Sequence, residues 1–230
     1  MKRMKGNLFV LPASIFALVS LSACADSIGG RVVSWKEQAL LHDGSVMEVS
    51  RTVRIGGHNV MYPSNYTEQS ITFTLPETGK EITWEEPFKS DMGGTSLQPI
   101  TVEVEKETAY IVSSPINCIT YSYWGMPNPP YIIYAYRGDQ WGQIALADLP
   151  EYVKRPNIIV SGPATTKERM GVSLFTVEQV DSLNKSLSYP QLNSILRGPV
   201  GPESMITSCL KYTRHGTAWE TRNPNNKFGQ

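Results

Sequence analysis

A mainly β fold is predicted: an antiparallel sandwich or open barrel with one or two short helices near its C-terminal end. Three observations lead there. Short runs of alternating apolar and polar residues pair around turn signals at four places. Apolar residues at helical spacing appear only in the later part of the chain. The 230 residues are 40% hydrophobic and 18% charged, enough for one packed domain and too apolar for a wholly disordered chain.

The first hairpin runs from Trp35 to Leu41, turns at His42-Asp43-Gly44-Ser45 and returns from Val46 to Ile55. Asp-Gly between two apolar-patterned runs is a good hairpin signal. On the returning strand Met47, Val49, Arg51 and Val53 share one face and Val46, Glu48, Ser50 and Thr52 the other, so the facing is not clean. Residues 56–69, with Gly56, Gly57, Pro63, Ser64 and Asn65, read as a loop. The second hairpin is Ile71–Leu75 and Ile82–Trp84 around Pro76-Glu77-Thr78-Gly79-Lys80, with Ile71, Phe73, Leu75, Ile82 and Trp84 on one side.

Ile100–Val104 and Ala109–Ser113 form the third hairpin, around Glu105 to Thr108. Cys118 to Trp124 reads as a Tyr-rich strand. Three prolines then exclude residues 125–130 from any central strand. Tyr131–Tyr136, the turn Arg137-Gly138-Asp139 and Gln140–Leu146 make the fourth hairpin. A helical turn is expected at Ala147–Tyr152. A helix is expected after Thr176, where Gln179 completes a capping box and Val177, Val180, Leu183 and Leu187 recur at helical spacing. Pro190 opens a second short helix carrying Leu192, Ile195 and Leu196.

The N-terminus carries an address. Lys2, Arg3 and Lys5 precede an apolar stretch from Leu8 to Leu21 and then Leu21-Ser22-Ala23-Cys24. A charged start, a short apolar core and small residues before a cut describe a secretory signal, residues 1–23. The cut resembles a bacterial lipobox, which implies that Cys24 is lipidated and becomes the first residue of the mature chain. Several acyl chains on one residue make a firm anchor. Ala25, where inner-membrane lipoproteins carry Asp, implies the outer membrane. Residues 24–34 read as a tether, 35–215 as one mainly β domain and 216–230 as a disordered tail.

The full chain has 21 basic and 21 acidic side chains. Removing residues 1–23 takes away three cations, leaving 18 against 21, a mild negative charge. A nucleic-acid partner is not expected, because such proteins carry a basic excess. Cys118 and Cys209 can pair in an oxidising periplasm.

Chemical motifs are sparse. His42, His58 and His215 lie too far apart in sequence for metal-ligand spacing, and His42 and His58 read as exposed loop residues. No serine sits in a nucleophile elbow, and Glu85-Glu86 would point to opposite faces of a strand. No cofactor, metal or catalytic residue is expected. The unusual feature is an aromatic stretch: Tyr121, Tyr123, Trp124, Tyr131, Tyr134, Tyr136 and Trp141, interleaved with Asn128 and prolines. It could form a platform for a sugar, peptide or protein partner, or it could be cross-strand pairing that stabilises a sheet.

Three segments carry a resemblance: Trp35, Glu37 and Leu40 ahead of Asp43-Gly44; Ser70 to Trp84; and Trp124 to Tyr131. Together they resemble a group of uncharacterised lipoproteins and periplasmic proteins of diderm bacteria, over about residues 35–197. The resemblance implies a compartment and supplies no activity.

The first expectation is therefore a non-catalytic, periplasm-facing lipoprotein of the outer membrane, held by its lipid anchor and binding an envelope protein or supporting an assembly. The second is a periplasmic small-ligand binder using Tyr121, Tyr123, Trp124, Asn128, Tyr131 and Tyr134. A hydrolase is the third. Cys24→Ser should abolish palmitate labelling and release the protein from membranes; continued labelling refutes the lipobox.

Overall fold

A computed structural model describes residues 29–58, 66–201, 204, 206–215 and 218–221. The signal segment 1–23, Cys24 and residues 222–230 of the expected tail lie outside the described residues.

The expected mainly β architecture is present as two stacked antiparallel sheets. The first hairpin is β1 (Arg31–Leu40) and β2 (Val46–Ile55), with Leu40 opposite Val46. Asp43 shapes its turn: Oδ1 accepts from the Ser45 amide and hydroxyl, at 2.9 and 2.6 Å. Next come β3 (Tyr66–Thr74) and β4 (Glu81–Glu86), then β5 (Leu97–Glu105) and β6 (Thr108–Pro115). The fourth hairpin is β7 (Ile132–Arg137) and β8 (Gln140–Ile144). The first sheet is ordered β4-β3-β2-β1-β9, where β9 (Leu174–Phe175) lies parallel to β1, and the second is β5-β6-β7-β8.

Four short α-helices occur among the described residues: α1 (Cys118–Tyr123), α2 (Pro163–Met170), α3 (Val177–Asn184) and α4 (Pro190–Asn193). A 3₁₀ turn spans Leu146–Asp148. The Thr176–Gln179 capping box opens α3 as its sequence predicts.

Four expectations need correction. Cys118–Trp124 is a helix, because Asn117 and Thr120 form their own capping box: Asn117 Oδ1 accepts from Thr120 N and Thr120 Oγ1 from Asn117 N, at 2.9 and 3.0 Å. That local satisfaction outweighs the strand preference of the aromatic run. The expected tether ends early, since β1 begins at Arg31. The expected loop 56–69 ends in strand, since β3 begins at Tyr66. The expected tail contains β11 (Ala218–Thr221), which pairs with β10 (Tyr212–His215).

Three apolar cores result. The first lies between the sheets, with Ala39, Val49, Ile71, Phe73 and Trp84 facing Val102, Ile111 and Ile132. The second covers the other face of β5-β6-β7-β8, where Tyr110, Val112 and Ile133 meet Leu149, Val153 and Ile195. The third covers the far end of β1 and β2, where Val33, Trp35 and Val53 meet Ala164, Phe175 and Val180. The opposite face of the first sheet is polar: Ser34 and Thr52 hydrogen-bond across it, as do Thr72 and Thr83, both pairs at 2.9 Å.

Between the first and third cores a charge pair is buried. Glu37 and Arg51 both point inward, with side chains 0% and 3% exposed, and Arg51 Nη1 donates to Glu37 Oε1 at 3.1 Å. Trp35 Nε1 and the Ile159 amide also donate to Glu37, at 2.5 and 2.6 Å. Losing one member of a buried pair leaves the other charge unpaired, typically at about 3–5 kcal/mol. Glu37→Ala should therefore lower the unfolding free energy in urea by about 3–5 kcal/mol with an unchanged slope.

Candidate functional site

Arg51 also opens onto a cavity of about 320 Å³. Its walls come from β2 and β3 (Arg51, Tyr66, Gln69), the loop before β5 (Met92, Gly94, Thr95), the start of β5 (Leu97, Gln98, Pro99), Ile116 and Asn117 ahead of α1, and Val160, Gly162 and Pro163 ahead of α2. Such a volume falls in the range of small-ligand sites. Gly94 brings the loop hard against β3: its φ is +158°, and a Cβ there would sit 2.5 Å from the Tyr66 carbonyl oxygen. Thr95 fastens the same carbonyl, which accepts from its amide at 2.9 Å and its hydroxyl at 3.2 Å.

The polar groups of the cavity are only partly used by the protein. Arg51 Nη1 donates to Glu37 and to the Ile159 carbonyl, the latter at 2.8 Å, with the guanidinium 5.1 Å from the Trp35 ring. Its Nε and Nη2 donate to no atom of the described residues. The Tyr66 hydroxyl accepts from Ala164 N at 3.1 Å, and burial raises its pKa above the ordinary phenol value, so it keeps its proton at neutral pH. Gln69 Nε2 is committed to Glu86 Oε2 and the Leu97 carbonyl, at 2.6 and 2.7 Å, and Gln98 Nε2 to the Val160 carbonyl at 2.6 Å. Arg51 is the one charged side chain among the lining residues described. Met92, Leu97, Ile116 and Val160 give the cavity an apolar side.

The aromatic residues do not assemble into one platform. Successive residues of an extended chain point to opposite faces, so Tyr131, just ahead of β7, enters the second core while Tyr134 of β7 packs against the first. The Tyr131 hydroxyl donates to the Gln191 and Ser194 carbonyls, at 3.0 and 2.9 Å, and accepts from Leu196 N at 3.1 Å. Tyr134 sits 5.7 Å from the Trp84 ring. Burial pushes both phenols up to about 12, with Glu86 adding to the rise at Tyr134. Tyr121 is buried in α1, and Trp124 Nε1 donates to Ser96 Oγ at 3.0 Å. Asn128 clasps Val200, donating to its carbonyl and accepting from its amide at 3.0 and 2.7 Å. Tyr123 stays exposed and meets Trp124 and Trp219 edge-on. These contacts are those of structural aromatics, and the cavity is not lined by any of the six residues expected to bind.

Cys118 and Cys209 are disulfide-bonded across 91 positions, with Cα atoms 5.4 Å apart, fastening α1 to the segment ahead of β10. His42 is exposed, as expected, whereas His58 is partly buried. His42 Nδ1 lies 3.0 Å from Glu103 Oε1, and its ring stacks on Tyr152 at 3.9 Å. His58 Nε2 lies 2.8 Å from Glu68 Oε1, and its ring stacks on Phe88 at 4.0 Å. Glu86 is buried beneath the amides of Ser96 and Leu97, which satisfy it together with Gln69 and Lys89. Among the described residues no three His, Cys, Asp or Glu converge as metal ligands.

Comparison with protein-family models, curated proteins and solved structures finds no match to this chain, so the site is read from its geometry. Sequence reading missed Arg51, Tyr66 and Gln98. A signal for Arg51 existed: on alternating strands it shares a face with Met47, Val49 and Val53, and Glu37 interrupts Trp35 and Ala39 in the same way.

The raised Tyr131 pKa fixes a pH dependence. The unfolded state gives up the phenolic proton near its ordinary pKa of about 10, whereas the folded state holds it to about 12. Stability therefore falls as pH climbs through that window. Tyr131→Phe should cost about 1–3 kcal/mol at neutral pH by orphaning its partners, and should make the alkaline loss shallower in denaturation series at pH 9 to 12.

Proposed function

We propose that this chain is a non-catalytic, ligand-binding lipoprotein that faces the periplasm from the outer membrane. The cavity beside Arg51 carries the reading: buried donors unused by the protein stand opposite an apolar wall, the composition of a small-molecule site. No nucleophile–base pair supports hydrolysis among the described residues, and the buried carboxylates Glu37, Glu86 and Glu103 are each held by hydrogen-bond donors.

The address belongs to the same proposal. The charged start and Leu21-Ser22-Ala23-Cys24 support lipidation, and six residues separate Cys24 from β1. Even fully extended, such a segment reaches about 25 Å. The domain would work close to the membrane surface and meet ligands diffusing in the periplasm.

The test is extraction. The lipidated protein, purified from its own envelope, should release a bound small molecule on denaturation, detected by mass spectrometry. Ile116→Trp, which places a bulky ring at a half-exposed position of the cavity wall, should release none. A protein captured by in-cell crosslinking, with no small molecule in either extract, would overturn the reading in favour of an assembly role.

A further inference from the structure

We infer that the ligand presents a carboxylate to Arg51 and lays an apolar group against Met92, Leu97, Ile116 and Val160. This rests on the proposal that the cavity binds a small molecule, and it names the chemistry.

The guanidinium is buried and held from one side. Glu37 and the Ile159 carbonyl take Nη1, and Trp35 lies against the guanidinium. What remains is Nε and Nη2, a two-donor fork in one plane, with no partner among the described residues. That edge matches the two oxygens of a carboxylate, the pairing in which an arginine fork is strongest. Two further groups favour negative charge in the same cavity. The Tyr66 hydroxyl uses its oxygen to accept from Ala164 N, leaving its proton to donate. The cavity also receives the start of α2 at Gly162 and Pro163, where the helix dipole is positive. No acidic side chain lines the cavity among the described residues.

The balance selects a single negative charge. Glu37 already offsets part of the Arg51 charge at 3.1 Å. A phosphate dianion would leave one charge unmatched, and no lysine or second arginine lines the cavity among the described residues to meet it. A monocarboxylate needs one fork and one hydroxyl. The apolar wall then takes the rest of the molecule, as in an organic acid with a branched tail or a peptide C-terminus ending in an aliphatic residue.

The test uses the full lipidated chain in detergent micelles, ¹⁵N-labelled, with the Arg51 Nε–H resonance as reporter. The probes are N-acetyl-leucine, its carboxamide, inorganic phosphate and a tetrapeptide ending in leucine. N-acetyl-leucine should bind and move the Arg51 resonance. The carboxamide and phosphate should bind roughly tenfold or more weakly. Arg51→Lys, which keeps the charge and loses the fork, should weaken the acid by a similar factor and leave the carboxamide unchanged. Tetrapeptide binding equal to the acid assigns a peptide terminus; binding of the acid alone assigns a free organic acid.

Equal affinity for acid and carboxamide, both abolished in Ile116→Trp, would overturn the carboxylate and leave the cavity as a binding site. Phosphate bound more tightly than the acid would do the same. No binding of any probe, or binding untouched by Ile116→Trp, would overturn both.

Discussion

The structure turns on four residues, Asn157 to Val160, that belong to no strand or helix. Each of the last three enters a different core: Ile158 the one between the sheets, Ile159 the one over the far end of β1 and β2, Val160 the one outside β7. A backbone buried this deeply must find partners that no ladder supplies. Side chains provide them. Glu37 accepts from Ile159 N and Arg51 donates to Ile159 O. Asn184 in α3 accepts from Val160 N and donates to Ile158 O, at 3.1 and 2.8 Å. Asn157 accepts from Val102 N and donates to the Val102 and Leu40 carbonyls, spanning both sheets with one amide.

This arrangement explains how a charge pair survives in the interior. Burying two charges is expensive, and their attraction repays it only when remaining donors and acceptors are met. Glu37 has three donors, Trp35, Arg51 and Ile159, shared between its two oxygens, and the placing of Trp35 and Arg51 follows from register, since Trp35 lies opposite Arg51 and Glu37 opposite Val49. Arg51, by contrast, has five donors and uses one nitrogen. Satisfaction is thus complete on the side facing the cores and incomplete on the side facing the cavity.

The hairpins were legible because each is a local object. Alternation assigns the faces, and a turn such as Asp43-Gly44 sets the register within a few residues. Ile71, Phe73, Leu75, Ile82 and Trp84 are all buried, as their alternation requires. The capping box of α3 was legible for the same reason. The parts that escaped are those decided at a distance or by a competing local signal. Asn117 and Thr120 spell a capping box, yet the Tyr-rich run behind them has the composition of a strand. The 157–160 segment has no periodicity, and its conformation is set by Glu37, Arg51 and Asn184, up to 122 positions away. The charge pair was visible as two intruders on apolar faces, but nothing in the sequence says that they meet each other or that a cavity opens beside them.

Strand length explains why the cavity lies there and not at the aromatic cluster. β1 and β2 each run ten residues, about 33 Å. The facing strands run nine, eight, six and five residues. The second sheet therefore stops short of the inward face of the first, and the uncovered end, at Val33, Trp35, Val53 and Phe175 of the adjoining β9, is roofed instead by α2 and α3. Two covers of different shape meet along a line across β1 and β2, and that line passes through Glu37 and Arg51. A gap is hardest to fill at such a seam, since neither the pleat of a sheet nor the ridges of a helix continue across it. The aromatics at β7, in contrast, sit inside continuous packing, with Tyr131 in one core and Tyr134 and Tyr136 in the other, while Tyr123 of α1 stays exposed. In this sandwich of unequal sheets the cavity opens at the edge of the shorter sheet, and the residue that the longer sheet presents there is Arg51.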